Sequence, residues 1–225
     1  MNNKEYAIIV AGGKGTRIKS KVPKQFLDLD GVPILMRTIN TFYTYSPDIT
    51  VLVVLPEDDF PLWEELCLLH KYNKPIILTK GGDTRFQSVK NGLEKIDGEG
   101  LVAIHDGVRP LVSEDLIGAS FRLAAIHKTA VAAVRLKESI RMTDKDNTKA
   151  VDRSKFRLIQ TPQTFDVALI KNAYTIKDDP SLTDDASVAE RSGHVISLFE
   201  GSYENIKITT PEDLVIAEAL LNAQK

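Results

Sequence analysis

One cysteine, one tryptophan and four histidines in 225 residues leave little material for several kinds of chemistry. A lone Cys67 excludes an intramolecular disulfide and any zinc site built on paired cysteines. It stands in an apolar stretch, Leu66-Cys67-Leu68-Leu69, and is expected to be an inert buried thiol. Neither sign of charge is in excess: 29 Lys and Arg face 31 Asp and Glu, for a net charge of −2. Nucleic acids and acidic membrane surfaces select a basic excess, so neither is an expected partner. No apolar run approaches the length of a membrane span, and Met1-Asn2-Asn3-Lys4-Glu5 lacks the pattern of a signal peptide. A cytoplasmic location is the expectation. No Ser-His-Asp or Cys-His set for covalent catalysis is evident, and there is no internal repeat, low-complexity tract or linker. The remainder, 43% hydrophobic and 27% charged, is ordinary for one domain spanning residues 1–225.

Against these absences one segment stands out. Tyr6-Ala7-Ile8-Ile9-Val10 reads as a buried first strand and opens into Ala11-Gly12-Gly13-Lys14-Gly15-Thr16-Arg17, with Lys24-Gln25-Phe26 seven residues on. Glycine lets backbone N–H groups approach a ligand closely, and successive N–H groups form a concavity suited to phosphate oxygens. Arg17, Lys19, Lys21 and Lys24 add positive charge, so a polyphosphate is the expected ligand. The two common phosphate loops do not fit. A Walker loop ending at Gly13-Lys14 needs glycine where Ile8 stands and Ser or Thr where Gly15 stands. The dinucleotide pattern G-x-G-x-x-G begun at Gly13 needs glycine at Ile18. A tight strand-to-helix turn with a solvated basic face is the competing explanation.

Beyond the loop, apolar runs and helical spacings alternate. Strands are expected at Ile49 to Leu55, Ile76 to Leu78, Leu101 to Ile104 and Thr129 to Val134; helices at Ile34 to Tyr45, Leu62 to His70, Arg85 to Ile96, from Ser113, and from Thr210-Pro211. Such alternation implies an α/β, Rossmann-like fold: a mainly parallel twisted sheet flanked by helices, with ligands at the carboxyl ends of its strands. Residues 136–158 break the rhythm with two extended pieces around a polar turn. They read as a protruding β-hairpin arm that packs on a second copy of the chain, because a lone hairpin is marginal in water.

Several polar clusters then fall near strand ends. Asp106, in His105-Asp106-Gly107-Val108-Arg109-Pro110, is a credible magnesium ligand, since that ion takes one or two carboxylates plus substrate phosphates. Capping a turn or pairing with Arg109 explains it equally well, and His105 reads as structural. Gly81-Gly82-Asp83-Thr84-Arg85-Phe86-Gln87-Ser88 turns into a helix that either faces a ligand or is simply N-capped. Gln160-Thr161-Pro162-Gln163 and Leu182-Thr183-Asp184-Asp185 are compatible with loop-and-cap chemistry; Asp184-Asp185 suits a metal as well, but an exposed helix start is the simpler reading. Asn205-Ile206-Lys207-Ile208-Thr209 alternates like a strand, with Lys207 on a solvated edge.

In this order the clusters resemble one family. Ala11-Gly12-Gly13-x-Gly15-x-Arg17 with Pro23-Lys24-Gln25 is similar to the signature of sugar-phosphate nucleotidyltransferases. Gly81-Gly82-x-x-Arg85-x-x-Ser88-Val89, His105-Asp106-x-x-Arg109-Pro110, Val151-Asp152-Arg153, Thr161-Pro162-Gln163, Thr183-Asp184-Asp185-Ala186-Ser187 and Asn205-Ile206-Lys207-Ile208-Thr209 narrow it to the 2-C-methyl-D-erythritol 4-phosphate cytidylyltransferases, from about Tyr6 to Leu221. Gly12 and Gly107 stand where that family commonly has alanine, and Ser139 where it has threonine. The resemblance implies a homodimeric enzyme of isoprenoid biosynthesis that uses CTP and Mg2+ to convert a polyol phosphate into its CDP derivative. It implies catalytic roles for Arg17, Lys24 and Lys207. Ala11, Gly12, Gly13, Gly15, Thr16, Gly82, Asp83, Arg85 and Ser88 would bind the nucleotide. Asp106 would hold the metal and, with Arg109, Ser139, Arg153, Thr161 and Thr183, the acceptor substrate, with Ser139 and Arg153 supplied by the partner's arm. The alternatives are a ribitol-5-phosphate cytidylyltransferase and a non-catalytic nucleotide-binding subunit.

Overall fold

The computed structural model describes residues 4–12, 22–144 and 147–223. In chain order the elements are β1 (Glu5–Val10), β2 (Asp28–Leu29), β3 (Val32–Pro33), α1 (Ile34–Tyr45), β4 (Thr50–Leu55), α2 (Phe60–Leu69), β5 (Ile77–Lys80), α3 (Arg85–Glu94), β6 (Leu101–Asp106) and α4 (Glu114–His127). They continue as β7 (Thr129–Arg135), β8 (Ile140–Asp144), β9 (Asn147–Val151), β10 (Arg157–Asp166), α5 (Val167–Ala173), α6 (Asp185–Arg191), β11 (Leu198–Glu200) and α7 (Pro211–Ala223). No helix among the described residues is long and apolar enough to cross a membrane.

Seven strands form one sheet in the order β11-β7-β10-β6-β1-β4-β5. All neighbours run parallel except β10, which is antiparallel to both β6 and β7. The period of two along each strand explains how both faces are covered. Ala7, Ile9, Val51, Val53 and Ala103 join one core with α1, α2 and α4. Their neighbours Tyr6, Ile8, Leu52, Val54, Val102 and Ile104 join a second core with α3, α5 and α6. Strands buried on both sides must be apolar throughout, which is why β1 and β4 read as unbroken hydrophobic runs. A third, smaller cluster ties α7 to the turn of β2 and β3 through Leu29, Ile34, Ile208 and Ala217.

The helix starts follow their caps. Thr84 Oγ1 accepts from Gln87 N at the head of α3, and Ser113 does the same for Leu116 in α4. Asp184 and Ser187 form a reciprocal capping box on α6.

Four expectations change. Gln160 to Gln163 is not a loop: it lies within β10, at a register shift between Ile159 and Gln163 where the Thr161–Pro162 peptide is cis. Asn205 to Thr209 is no strand; Ile208 N donates to Val108 O at 2.9 Å without extending any ladder. Cys67 is half-buried, on a helix end whose Leu68 and Leu69 face solvent. Asp185 is fully buried instead of opening an exposed helix.

The arm is a two-stranded sheet of its own, β8 paired antiparallel with β9 from Ile140↔Val151 to Asp144↔Asn147. Its residues are almost all exposed.

Helix α3 approaches the sheet closely at Gly92, where a Cβ would lie 3.0 Å from Ile8 Cγ2 and 3.2 Å from Val54 Cγ2. A larger side chain must push into a packed core. Gly92→Leu is expected to lower stability by about 1–3 kcal/mol in urea denaturation, the usual cost of overpacking.

Candidate functional site

The site is built by continuing the parallel ladder past the strands. Val10 and Asp106 are register partners at the carboxyl ends of β1 and β6. The next residues keep bonding: Ala11 N donates to Val54 O at 2.9 Å, Gly107 N to Val10 O at 2.9 Å and Gly81 N to Leu55 O at 2.7 Å. Three loops therefore leave the sheet at one level. Around them opens a cleft of about 880 Å³, lined by Ala11, Gly12, Lys24, Gly82, Asp83, Arg85, Ser88, Asp106 and Lys207 among others.

Close packing fixes two of these loops. A Cβ on Gly107 would meet Ala11 Cβ at 2.8 Å and Leu35 Cδ1 at 3.0 Å, so glycine lets the β6 loop lie against the β1 loop. A Cβ on Gly82 would come within 2.4 Å of Gln87 Cβ. The Gly82 turn is also held by side chains of α3: Gly82 N donates to Ser88 Oγ at 3.1 Å, and Asp83 N to Gln87 Oε1 at 2.9 Å. Lys24 heads a short 3-10 turn whose Gln25 is buried and donates to Asp59 Oδ2 at 2.9 Å.

Asp106 organises the charges. Its Oδ2 receives Arg109 Nε at 3.1 Å and Lys207 Nζ at 3.1 Å, while its backbone N–H donates to Thr161 Oγ1 at 3.1 Å. Burial pushes its carboxyl pKa up, but Lys207, Arg85 and Arg109 more than offset that and hold it well below the usual range. It is ionised at neutral pH. Arg109 Nη1 in turn donates to Asn205 O at 2.8 Å, and Asn205 Nδ2 to Thr161 O at 2.8 Å. This mesh carries Lys207 to the cleft, with its side chain 40% exposed. Lys207 is thus part of the site and not a solvated edge.

Arg85 makes a bidentate pair with Asp185, Nη1 to Oδ1 at 2.8 Å and Nη2 to Oδ2 at 2.6 Å. Tyr174 Oη donates to the same Oδ1 at 2.6 Å. Gln163 joins β10 to the start of α6, donating to Asp184 Oδ2 at 2.9 Å and accepting from Ala186 N at 2.8 Å.

The structure therefore brings together Ala11, Gly12, Lys24, Gly82, Asp83, Arg85, Ser88, Asp106 and Lys207, with Arg109 and Thr161 bonded to Asp106 behind them. Gly13, Gly15, Thr16 and Arg17 lie outside the described residues. Ser139, Arg153 and Thr183 are exposed and do not line this cleft; Arg153 Nη1 bonds to Lys137 O at the base of the arm. The framework residues Gln163, Tyr174, Asp185 and Asn205 are the ones sequence reasoning missed. Gln163, Asp185 and Asn205 each stood inside a quoted motif without a role of their own, and nothing in the sequence pointed to Tyr174.

No group of three His, Cys, Asp or Glu side chains gathers among the described residues. The donor set at Asp106 is one ionised carboxylate beside cations. That fits an ion such as magnesium, which draws most of its ligands from phosphates and water.

A family model for IspD, 2-C-methyl-D-erythritol 4-phosphate cytidylyltransferase, matches residues 6–223. A protein of that name from Bacteroides fragilis is 46% identical over 96% of this chain and 98% of its own. One from Porphyromonas gingivalis is 46% identical over 99% of this chain and 100% of its own. The crystal structure of a 4-diphosphocytidyl-2C-methyl-D-erythritol synthase from Anaerococcus prevotii superposes with a TM-score of 0.83 at 30% identity, covering 98% of this chain and 99% of that one.

His105 supplies a test of the buried frame beneath Asp106. Its ring is fully buried against Phe42 at 5.3 Å, with Nε2 3.3 Å from Arg109 O. Burial lowers its pKa to about 4; Asp106 opposes this, while Arg109 and Lys207 reinforce it. The unfolded chain therefore binds a proton near pH 6.5 that the folded one refuses until about pH 4, so stability falls as pH drops between those values. From pH 7 to pH 5 this group alone should remove about 2 kcal/mol. Denaturation of the wild type and His105→Asn across that range is expected to show a flatter pH slope in the variant.

Proposed function

This chain belongs to the 2-C-methyl-D-erythritol 4-phosphate cytidylyltransferase family, and from that premise we propose how its cleft divides the work. The protein transfers CMP from CTP to 2-C-methyl-D-erythritol 4-phosphate, releasing pyrophosphate, a step of isoprenoid biosynthesis. The acceptor phosphate is already an anionic nucleophile, so no general base is needed. The barrier lies in bringing two anions together and in stabilising charge on the five-coordinate α-phosphorus, which fixed cations do by position and charge.

The observation that carries this reading is the Asp106 cluster at the mouth of three parallel strands. It supports roles for Lys207 and Lys24 on the triphosphate, the former held by Asp106 and the latter at the head of a 3-10 turn whose Gln25 and Phe26 are buried. Arg17 and the glycine-rich segment 13–16 complete the triphosphate site in our reading. Gly82, Asp83, Arg85 and Ser88 form the end of the cleft assigned to cytosine. Asp106 would hold Mg2+, which when bound offsets phosphate charge. Arg109 and Thr161 keep that carboxylate in place.

Ser139, Arg153 and Thr183 are assigned to the acceptor, the first two in the cleft of a second copy. The exposed arm, with Met142, Phe156 and Leu158 each about half exposed along it, supports a homodimer. Light scattering at micromolar protein is expected to give twice the chain mass; a monomer would remove Ser139 and Arg153 from the site.

Pyrophosphate release with CTP and magnesium should occur with methylerythritol phosphate and not with ribitol 5-phosphate; turnover with ribitol 5-phosphate alone would reassign the acceptor. Lys24→Ala and Lys207→Ala should each lower kcat by on the order of 10²-fold, with a much smaller change in KM, as for loss of a preorganised donor. A normal kcat in either variant would remove that lysine from the mechanism.

A further inference from the structure

We propose that Asp185, clamped by Tyr174, is a positioning residue that fixes the Arg85 guanidinium at the edge of the nucleotide cleft. The inference rests on the cytidylyltransfer reading and adds two residues that touch no ligand in it.

The geometry is that of a clasp. Arg85 is the first residue of α3, directly after the Gly81-to-Thr84 turn, and its side chain is 29% exposed where it lines the cleft. Its partner Asp185 has a side-chain exposure of 0%. Both carboxylate oxygens are committed, Oδ2 to Arg85 and Oδ1 to Arg85 and Tyr174 together. The phenol cannot wander, because its ring packs on Phe86, the next residue of α3, with centroids 4.6 Å apart. Tyr174 is 2% exposed, so no ligand reaches it. Burial and the neighbouring Asp185 raise its hydroxyl pKa well above the ordinary value, which keeps the proton that it donates.

Stability alone is a poor reason for this arrangement. Desolvating a carboxylate and a guanidinium costs about as much as their attraction returns, and apolar residues of similar volume often do as well. What a bidentate pair does supply is orientation, since the planar fork meets a carboxylate in one geometry. Two of the five guanidinium N–H directions are spent on Asp185, which leaves the others for the cleft. The charge also reaches the catalytic end, where Arg85 is one of three cations that hold Asp106 ionised. A guanidinium fixed in this way serves the nucleotide without a rotamer search on binding.

The test is calorimetric CTP binding in the presence of magnesium, alongside steady-state rates, for Tyr174→Phe, Arg85→Lys and the double variant. Tyr174→Phe keeps the ring and removes only the hydroxyl that clamps Asp185. It should weaken CTP binding roughly threefold to tenfold, the effect of one charge-assisted hydrogen bond acting at one remove. The KM for methylerythritol phosphate should stay within about twofold of wild type, a split that general loosening of the fold would not produce. Arg85→Lys keeps the charge but loses the fork, and Tyr174→Phe should then add almost nothing, because the two changes break one path. Asp185→Asn should resemble Arg85→Lys; if it does not fold, the other variants still decide. A folded Tyr174→Phe with unchanged CTP affinity would overturn the proposal, as would a loss that adds in full to that of Arg85→Lys. A wild type that binds CTP but turns over neither acceptor would sink the functional reading instead, and the binding comparison would still judge the clasp.

Discussion

A single carboxylate at the end of a central strand sets the charge balance of this cleft. Asp106 accepts Arg109 and Lys207 on one oxygen and lies within the field of Arg85. Without it, Arg109 and Lys207 would lose their shared carboxylate partner in a partly buried space, and leaving buried charge unpaired is costly. With it, Arg109 and Lys207 are both held on one oxygen, and Lys207 lines the cleft. The low pKa of Asp106 follows from those neighbours and keeps the arrangement intact at neutral pH. Electrostatic preorganisation of this kind acts without reorganisation during the reaction, which is the usual source of the largest catalytic gains.

The rest of the fold can be understood as support for that carboxylate. The antiparallel strand β10 brings Thr161 to the Asp106 backbone and Gln163 to the start of α6. Asn205 ties the segment bearing Lys207 to the same strand, and Arg109 ties it to β6. Asp106, Arg109, Thr161 and Gln163 are paired in this network, whereas Asn205 Oδ1 and His105 Nδ1 are buried without a hydrogen-bond partner among the described residues. The rigid parallel core below, buried on both faces, gives the network a fixed floor.

How much of this was legible in the sequence depended on the range of the interaction. Strands such as Thr50–Leu55 were plain because burial on both faces demands an unbroken apolar run. Caps at Ser113 and Thr210 were plain because the relevant bonds span three residues. Asp106 could be placed at a strand end, yet its pairing with Lys207, about a hundred residues on, could come only from the family resemblance or the structure. The same holds for Asp185, whose partner Arg85 is 100 residues away; locally it looked like one more acid at a helix start. Gln160 to Gln163 misled because proline argues against a central strand, and the register shift that accommodates it is invisible in sequence.

The most direct test of the account is the single-turnover rate of Asp106→Asn with CTP, magnesium and methylerythritol phosphate at saturating concentrations. Asparagine keeps the shape and removes the charge that positions Lys207 and Arg109. The account predicts a folded protein that still binds CTP but whose chemical step is slower by on the order of 10²-fold or more. An unchanged single-turnover rate in a folded variant would contradict it, because the cleft would then organise its cations without the carboxylate placed at their centre.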